Sequence, residues 1–149
     1  MSSAPGAPCW CMTLRRTTRA VTEFYDLAVE RNGLLITQYA LLKHILLLEP
    51  ATLHALSESL GLERSTLARN VAVLERQGFV RSAAQRKARE HRIETTDKGR
   101  LKFKEAQPFW EEAQRGIEEL LTEDELGLLR NIARKLQGLA ARGKALPDA

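Results

Sequence analysis

The sequence has only two cysteines, few aromatic residues and no long hydrophobic run. Two cysteines in 149 residues cannot make a disulfide framework, so we expect a reducing, cytoplasmic location. Aromatic residues make up 5% of the chain, which favours aliphatic helices over an aromatic-rich β-sandwich. No apolar run approaches the roughly 18 residues that a membrane span needs, and the N-terminus lacks the features of a signal peptide. We therefore expect one compact domain without a membrane partner.

The chain also lacks the motifs of the common enzyme classes. Its three histidines, His44, His54 and His91, are scattered and belong to no His-Glu-x-x-His motif, nucleophile elbow or phosphate-binding glycine loop. His44 lies among leucines, which predicts a packed histidine. A zinc site needs about four ligands, whereas Cys9 and Cys11 supply two per chain. A zinc site on these cysteines would therefore have to be shared by two chains, and this is the alternative. We predict no enzymatic activity, no metal and no cofactor.

Hydrophobic periodicity predicts a mainly α-helical fold with a small β-hairpin, in the order α-α-α-α-β-β-α-α. Gly33, Gly61 and Gly78 are expected to end the first, third and fourth helices, and Thr52 to cap the third. Pro108 should kink or interrupt the long helix that contains it. The predicted helices before the hairpin span about 12–31, 37–48, 52–60 and 64–77, and the predicted strands span 79–85 and 91–96.

Positive charge is concentrated around the predicted hairpin. Between Arg81 and Lys104 there are nine basic and three acidic residues, a larger surplus than the +4 of the whole chain. The tip between the strands, residues 86–90, has the sequence RKARE. Such a patch favours a polyanionic partner, while the alternative is a solvated charged surface.

Residues 52–99 combine a short capped helix, a glycine turn, an amphipathic helix and a hairpin with a basic tip, which together predict a winged helix-turn-helix. In the amphipathic helix Leu67, Val71 and Leu74 form the apolar stripe, and the polar residues around it are left for a partner. A helix of this kind fits the major groove of DNA, and a basic hairpin tip can enter the minor groove. The alternative is an ordinary helical hairpin with a solvated face. The predicted DNA-binding residues are Arg64, Ser65, Thr66, Arg69, Asn70, Arg86, Lys87 and Arg89.

From Cys9 to Arg142 the sequence resembles the MarR family of bacterial transcriptional regulators. This resemblance implies an obligate homodimer, with ligand or oxidant sensing between the dimerisation and DNA-binding regions. It divides the chain into a disordered tail (1–8), a dimerisation helix (9–36), a winged helix-turn-helix domain (37–99) and C-terminal dimerisation helices (100–149). The residues that match the family pattern are Leu60-Gly61-Leu62, Ser65-Thr66, Arg69, Leu74-Glu75, Gly78-Phe79-Val80 and the end of the wing, from Arg89 to Thr96-Asp97-Lys98-Gly99.

Two positions depart from the family pattern. The family's wing usually carries an aspartate two residues before its arginine, and Lys87 stands there, before Arg89. The usual salt bridge is therefore absent, and the tip is more basic. Glu63 occupies the expected cap of the recognition helix, where serine or aspartate caps better, although its charge suits the helix dipole.

The two cysteines raise the question of redox sensing. In the organic-peroxide-sensing branch of the family, tyrosines of the partner subunit form hydrogen bonds with a cysteine at the start of the first helix. The resemblance places Cys11 at that position and Tyr25 at the first tyrosine, while Ile36 replaces the second. The helix N-terminus and nearby arginines would favour a thiolate. An i, i+2 pair on a helix points about 200° apart, so a bond between Cys9 and Cys11 would need extended backbone. The alternative is that both are small, semi-buried residues without chemistry.

These patterns predict a homodimeric DNA-binding transcriptional regulator, a repressor, that binds a pseudo-palindromic operator. The resemblance adds an oxidant or a small molecule as effector. The alternative is a helical dimeric protein-interaction or metal- or ligand-binding module that does not bind DNA, which would not need a basic wing.

Overall fold

The computed structural model describes residues 8–84 and 91–139, and these residues form a mainly helical fold with one antiparallel hairpin. The order α-α-α-α-β-β-α-α is confirmed, with one added turn of 3₁₀ helix at Glu30–Asn32. The predicted tail lies outside the described residues except for Pro8. The elements are α1 (Trp10–Val29), α2 (Ile36–Leu48), α3 (Leu53–Leu60), α4 (Arg64–Arg76), β1 (Val80–Ala84), β2 (His91–Thr95), α5 (Asp97–Leu120) and α6 (Glu123–Gln137).

The helix-turn-helix is built by local capping, as the sequence predicts. The Thr52 side chain accepts a hydrogen bond of 3.1 Å from the amide of Ala55 and so caps α3. Gly61 ends α3 with a φ of +64°, in the left-handed region that favours glycine. The Ser57 hydroxyl donates to the Leu62 carbonyl at 2.7 Å across the turn. These bonds hold α3 and α4 in a defined relative orientation.

Of the two outcomes predicted for Pro108, the interruption does not occur, because α5 runs without a break from Asp97 to Leu120, while the kink stays a prediction. Proline removes one amide donor, which leaves the carbonyl of Lys104 without its helical partner. Both Pro108 and Lys104 are exposed, so water can bond that carbonyl. On the other face Ala106 and Ala113 are buried and hold α5 against the rest of the fold.

The main core lies between α2, α3, α4 and the hairpin. Leu42 and Ile45 of α2, Leu56 of α3, and Leu67 and Leu74 of α4 are all fully buried in it. The apolar stripe predicted for the fourth helix is therefore confirmed. Because this stripe faces inward, the opposite face of α4 is directed away from the domain.

An aromatic group joins α2 to α5. The ring of Tyr39 stacks on Phe103 with centroids 4.9 Å apart and on Trp110 with centroids 5.8 Å apart. Burial, and then the charge of Glu111, raise the pKa of Tyr39 to about 12. The group fixes the long α5 helix relative to α2 and so to the core.

In contrast, α6 has no buried residue in the single chain, although it begins with a complete capping box at Thr122 and Glu125. Large apolar side chains are exposed along α1 and α6. None of the described helices combines the length and the apolar character that crossing a bilayer requires. The exposed apolar residues on these two helices are Trp10, Met12, Leu14, Val21, Phe24, Leu27, Leu128, Leu129 and Ile132.

Candidate nucleic-acid interface

The exposed face of α4 carries most of the side chains predicted to bind DNA. Arg64, Ser65, Thr66 and Arg69 are all exposed, within the first two turns of the helix. Each residue of an α-helix advances by about 100°, so Arg69 lies opposite the buried Leu67. Glu63 stands at the N-cap without a side-chain capping bond. The first amides of α4 therefore remain available to an acceptor such as a phosphate.

Asn70 has a different environment from the other four. It is only partly exposed, and it lines a cavity of about 210 Å³ between α2 and α4. Thr37 and Gln38 of α2 line the same cavity. The structure thus places Asn70 at the flank of the exposed face rather than at its centre.

The C-terminal end of α4 is bonded to the hairpin. Glu75 accepts hydrogen bonds from the Ser82 hydroxyl at 2.7 Å and from the Ser82 amide at 3.0 Å. These two bonds lower the pKa of Glu75 below its usual value. The bonds set the position of β1 relative to the recognition helix.

The stem of the hairpin is a regular antiparallel pair in which Arg81 lies opposite Glu94. Their side chains form a salt bridge of 2.8 Å. Arg92 of β2 is exposed. The predicted contacts Arg86, Lys87 and Arg89 lie outside the described residues.

Basic residues near the hairpin are partly engaged within the fold. Lys98 donates to the Gln77 carbonyl at 2.8 Å and lies over the ring of Phe79. Arg100 pairs with Glu49, which also accepts a hydrogen bond from the Thr95 amide. With Arg81 paired as well, the run of basic residues contributes less free positive charge than its sequence suggests.

A close approach joins the end of the hairpin to α5. Thr96 caps α5 by accepting from the Gly99 amide at 3.1 Å, and its hydroxyl donates to the Gly78 carbonyl at 2.7 Å. A Cβ atom added at Gly99 would lie 2.0 Å from the Phe79 carbonyl oxygen. The backbone of α5 at Gly99 therefore packs directly against the backbone at Phe79, and the contact leaves no room for a side chain at position 99.

The sequence analysis missed one contact at the start of α4. The guanidinium of Arg64 lies 2.8 Å from Nδ1 of His54, which is in the first turn of α3. The other ring nitrogen of His54 lies 3.7 Å from Glu58. Ten residues separate Arg64 from His54, so no helical or strand periodicity reveals this contact. The packed histidine predicted at position 44 is half-buried, with its Nδ1 2.8 Å from the Ala40 carbonyl.

Both cysteines are exposed free thiols in the single chain. Cys9 is the N-cap of α1, with φ −74° and ψ 109°, and Cys11 lies within the first turn. The prediction treated both as helical, so its argument about side chains 200° apart does not apply to this pair. Cys11 lines a cavity of about 690 Å³ between α1 and α6.

Tyr25 lies between α1 and α5, and its hydroxyl donates to the side chain of Gln114 at 2.7 Å. Burial, followed by the charge of Glu118, raises the pKa of Tyr25. Fourteen residues along an α-helix correspond to roughly 21 Å, so Tyr25 cannot reach Cys11 of its own chain.

An exposed polar helix face beside an antiparallel hairpin, both held by a helical core, defines a winged helix-turn-helix protein. A sequence profile of the MarR family matches residues 32–90. The DNA-bound transcriptional regulator MosR of M. tuberculosis is 36% identical over 93% of this chain and 100% of its own, with a TM-score of 0.78. The chain therefore belongs to the MarR family and is a DNA-binding transcriptional regulator. This family is not enzymatic, which confirms the prediction that the protein has no enzymatic activity.

Two more distant structures show the same fold. A mutant MarR from E. coli complexed with operator DNA is 16% identical over 84% of this chain and 91% of its own, with a TM-score of 0.75. PcaV from Streptomyces coelicolor, in complex with its natural ligand, is 21% identical over 94% of this chain and 99% of its own, with a TM-score of 0.81. A comparison with curated proteins gave no match.

Proposed function

We propose that the protein is a homodimeric repressor that reads a pseudo-palindromic operator with α4 and its wing. The observation that carries this proposal is the group of exposed side chains Arg64, Ser65, Thr66 and Arg69 in the first two turns of α4, of which Ser65 and Arg69 lie opposite the buried Leu67. MosR, a 36% identical relative, has been crystallised in complex with DNA. An arginine on such a face can donate two hydrogen bonds to a guanine edge in the major groove.

The proposed dimer is supported by the exposed apolar side chains of α1 and α6. A helix whose apolar stripe has no cover in its own chain gains free energy by packing against another surface. In a symmetric dimer the two α4 helices would meet half-sites about one helical turn of DNA apart. The wing residues Arg86, Lys87 and Arg89 are proposed as minor-groove and phosphate contacts on the family resemblance alone.

The first prediction tests base reading by Arg69. Arg69→Ala should weaken binding to the cognate operator by about 1–3 kcal/mol and weaken binding to scrambled DNA much less. The operator can be obtained by selection from random duplexes with the wild-type protein. Fluorescence anisotropy at fixed salt then measures both affinities, because salt changes them strongly.

The matched control is Arg115→Ala, which removes an exposed arginine from α5, away from α4. This variant should bind both duplexes as the wild type does. Equal losses of Arg69→Ala on operator and scrambled DNA would show that Arg69 contacts only phosphates. A wild-type protein that selects no sequence would overturn the proposed function.

We also propose that the repressor responds to organic hydroperoxides through Cys11. The exposed thiol stands in the first turn of α1 and lines the cavity together with Trp10, Leu14 and Arg15. The Cys11 thiolate would attack the terminal peroxide oxygen, giving a sulfenic acid and releasing the alcohol after protonation. Because α1 belongs to the proposed dimer interface, this change would alter the spacing of the two α4 helices.

The second prediction concerns this response. Stoichiometric cumene hydroperoxide should lower operator affinity of the wild type about tenfold or more, a coupling within the usual range. Cys11→Ser should remain bound, and the matched variant Cys9→Ser should still form a sulfenic acid that dimedone traps at Cys11. Mass spectrometry locates the modified residue, and a gel shift measures release. Release of Cys11→Ser at the wild-type dose would exclude Cys11 as the sensor.

A further inference from the structure

Within residues 8–84 and 91–139, the side chain of Arg64 forms one hydrogen bond, to His54. The contact joins Nη2 of Arg64 to Nδ1 of His54 at 2.8 Å, between the first residue of α4 and the first turn of α3. An arginine guanidinium only donates hydrogen bonds, so Nδ1 must be the acceptor. The proton of the neutral ring is then on Nε2, which faces the Glu58 carboxylate at 3.7 Å.

We propose that His54 is a positioning residue that orients Arg64 for sequence-specific binding, an inference that rests on the proposed DNA-binding role of α4. A free arginine samples many rotamers and loses that freedom when it binds. The bond to His54 limits the guanidinium before DNA arrives. The turn beneath it is fixed by the bond between Ser57 and Leu62, so α3 provides a stable support.

The same geometry makes the orientation sensitive to protonation. A ring that carries protons on both nitrogens has no acceptor for Arg64, and its positive charge repels the guanidinium. Within the described part of the chain, the charged groups that face this ring are Glu58 on α3 and Arg64 on α4. A protonated His54 would pair with Glu58 and release Arg64. The positioning of Arg64 therefore requires the neutral ring of His54.

Four variants test the role of His54: three single substitutions, and His54→Ala combined with Arg64→Ala. His54→Ala removes the acceptor, whereas His54→Asn keeps an acceptor oxygen near the position of Nδ1 and does not titrate. Arg64→Ala removes the group that is positioned. Affinities for the selected operator and a scrambled duplex are measured at pH 8.0 with constant salt. Circular dichroism melting verifies that each variant is folded.

At pH 8.0 we expect His54→Ala to lower the ratio of operator affinity to scrambled-duplex affinity by between about twofold and tenfold. This range corresponds to the free-energy cost of immobilising one side chain on binding. His54→Asn should retain the ratio, because its side-chain oxygen still accepts from Arg64. In the Arg64→Ala background, His54→Ala should have no further effect, because the two residues act as one unit.

The possible failures are distinguishable. If Arg64→Ala lowers the ratio but His54→Ala does not, the positioning role is overturned while the proposed function stands. Additive effects of the two substitutions would also overturn it, because His54 would then act independently of Arg64. A wild-type protein that does not discriminate between the duplexes would overturn the proposed function itself.

Discussion

Replacing Gly99 with alanine is expected to destabilise the fold by roughly 2–3 kcal/mol, the upper range for overpacking a close contact. The new Cβ would lie 2.0 Å from the carbonyl oxygen of Phe79 and 2.8 Å from the Thr95 side chain. The nearest atom belongs to the backbone, so no rotamer change can relieve the clash. Relief requires α5 to move away from the hairpin, which would break the bonds of Thr96 to Gly78 and Gly99.

Gly127→Ala is the matched control, because it makes the same chemical change within a helix. A Cβ at Gly127 has no neighbour within 4 Å in the single chain. Alanine is preferred to glycine inside helices by about 1 kcal/mol, so this variant should be as stable as the wild type or more stable. Urea unfolding at one protein concentration measures both. A Gly99→Ala midpoint equal to that of the wild type would contradict the close contact.

The parts of the fold that follow local rules were predictable from the sequence. The stripe of Leu67, Val71 and Leu74 has helical spacing, and Thr52 and Gly61 mark helix ends by short-range hydrogen bonding and backbone conformation. The unbroken course of α5 through Pro108 was not predictable, because whether proline breaks a helix depends on water reaching one freed carbonyl. Exposure of that carbonyl is a tertiary property.

The candidate site, too, could be predicted from the sequence only in part. Periodicity places Asn70 and Arg69 off the apolar stripe alike, but it does not show that α2 flanks Asn70. The contacts of Arg81 with Glu94 and of Arg100 with Glu49 join different elements, so counting charges along the chain overstates the free positive charge. Such pairs become visible only when the strands and helices are placed in space.

Replacing Ile132 with aspartate is expected to convert the proposed dimer into a monomer at micromolar concentration. Leu129, Ile132 and Leu136 recur at positions i, i+3 and i+7 of α6, and Ile132 is 41% exposed in the single chain. Burial of an isoleucine side chain contributes roughly 1.5–3 kcal/mol, and two-fold symmetry applies each loss twice. The dissociation constant of the dimer should therefore rise about 100-fold or more. Sedimentation equilibrium measures this change directly.

The matched control is Leu47→Asp, at an α2 position that is 71% exposed in the single chain and lies outside α1 and α6. This variant should sediment as the wild type does. The thermal midpoint of the wild type should also rise with protein concentration, because only the folded state dimerises, whereas that of Ile132→Asp should not at micromolar concentration. Operator affinity should fall together with the dimer, since one chain can engage only one half-site. A wild-type monomer, or an Ile132→Asp variant that remains dimeric, would exclude α6 as the dimerisation surface.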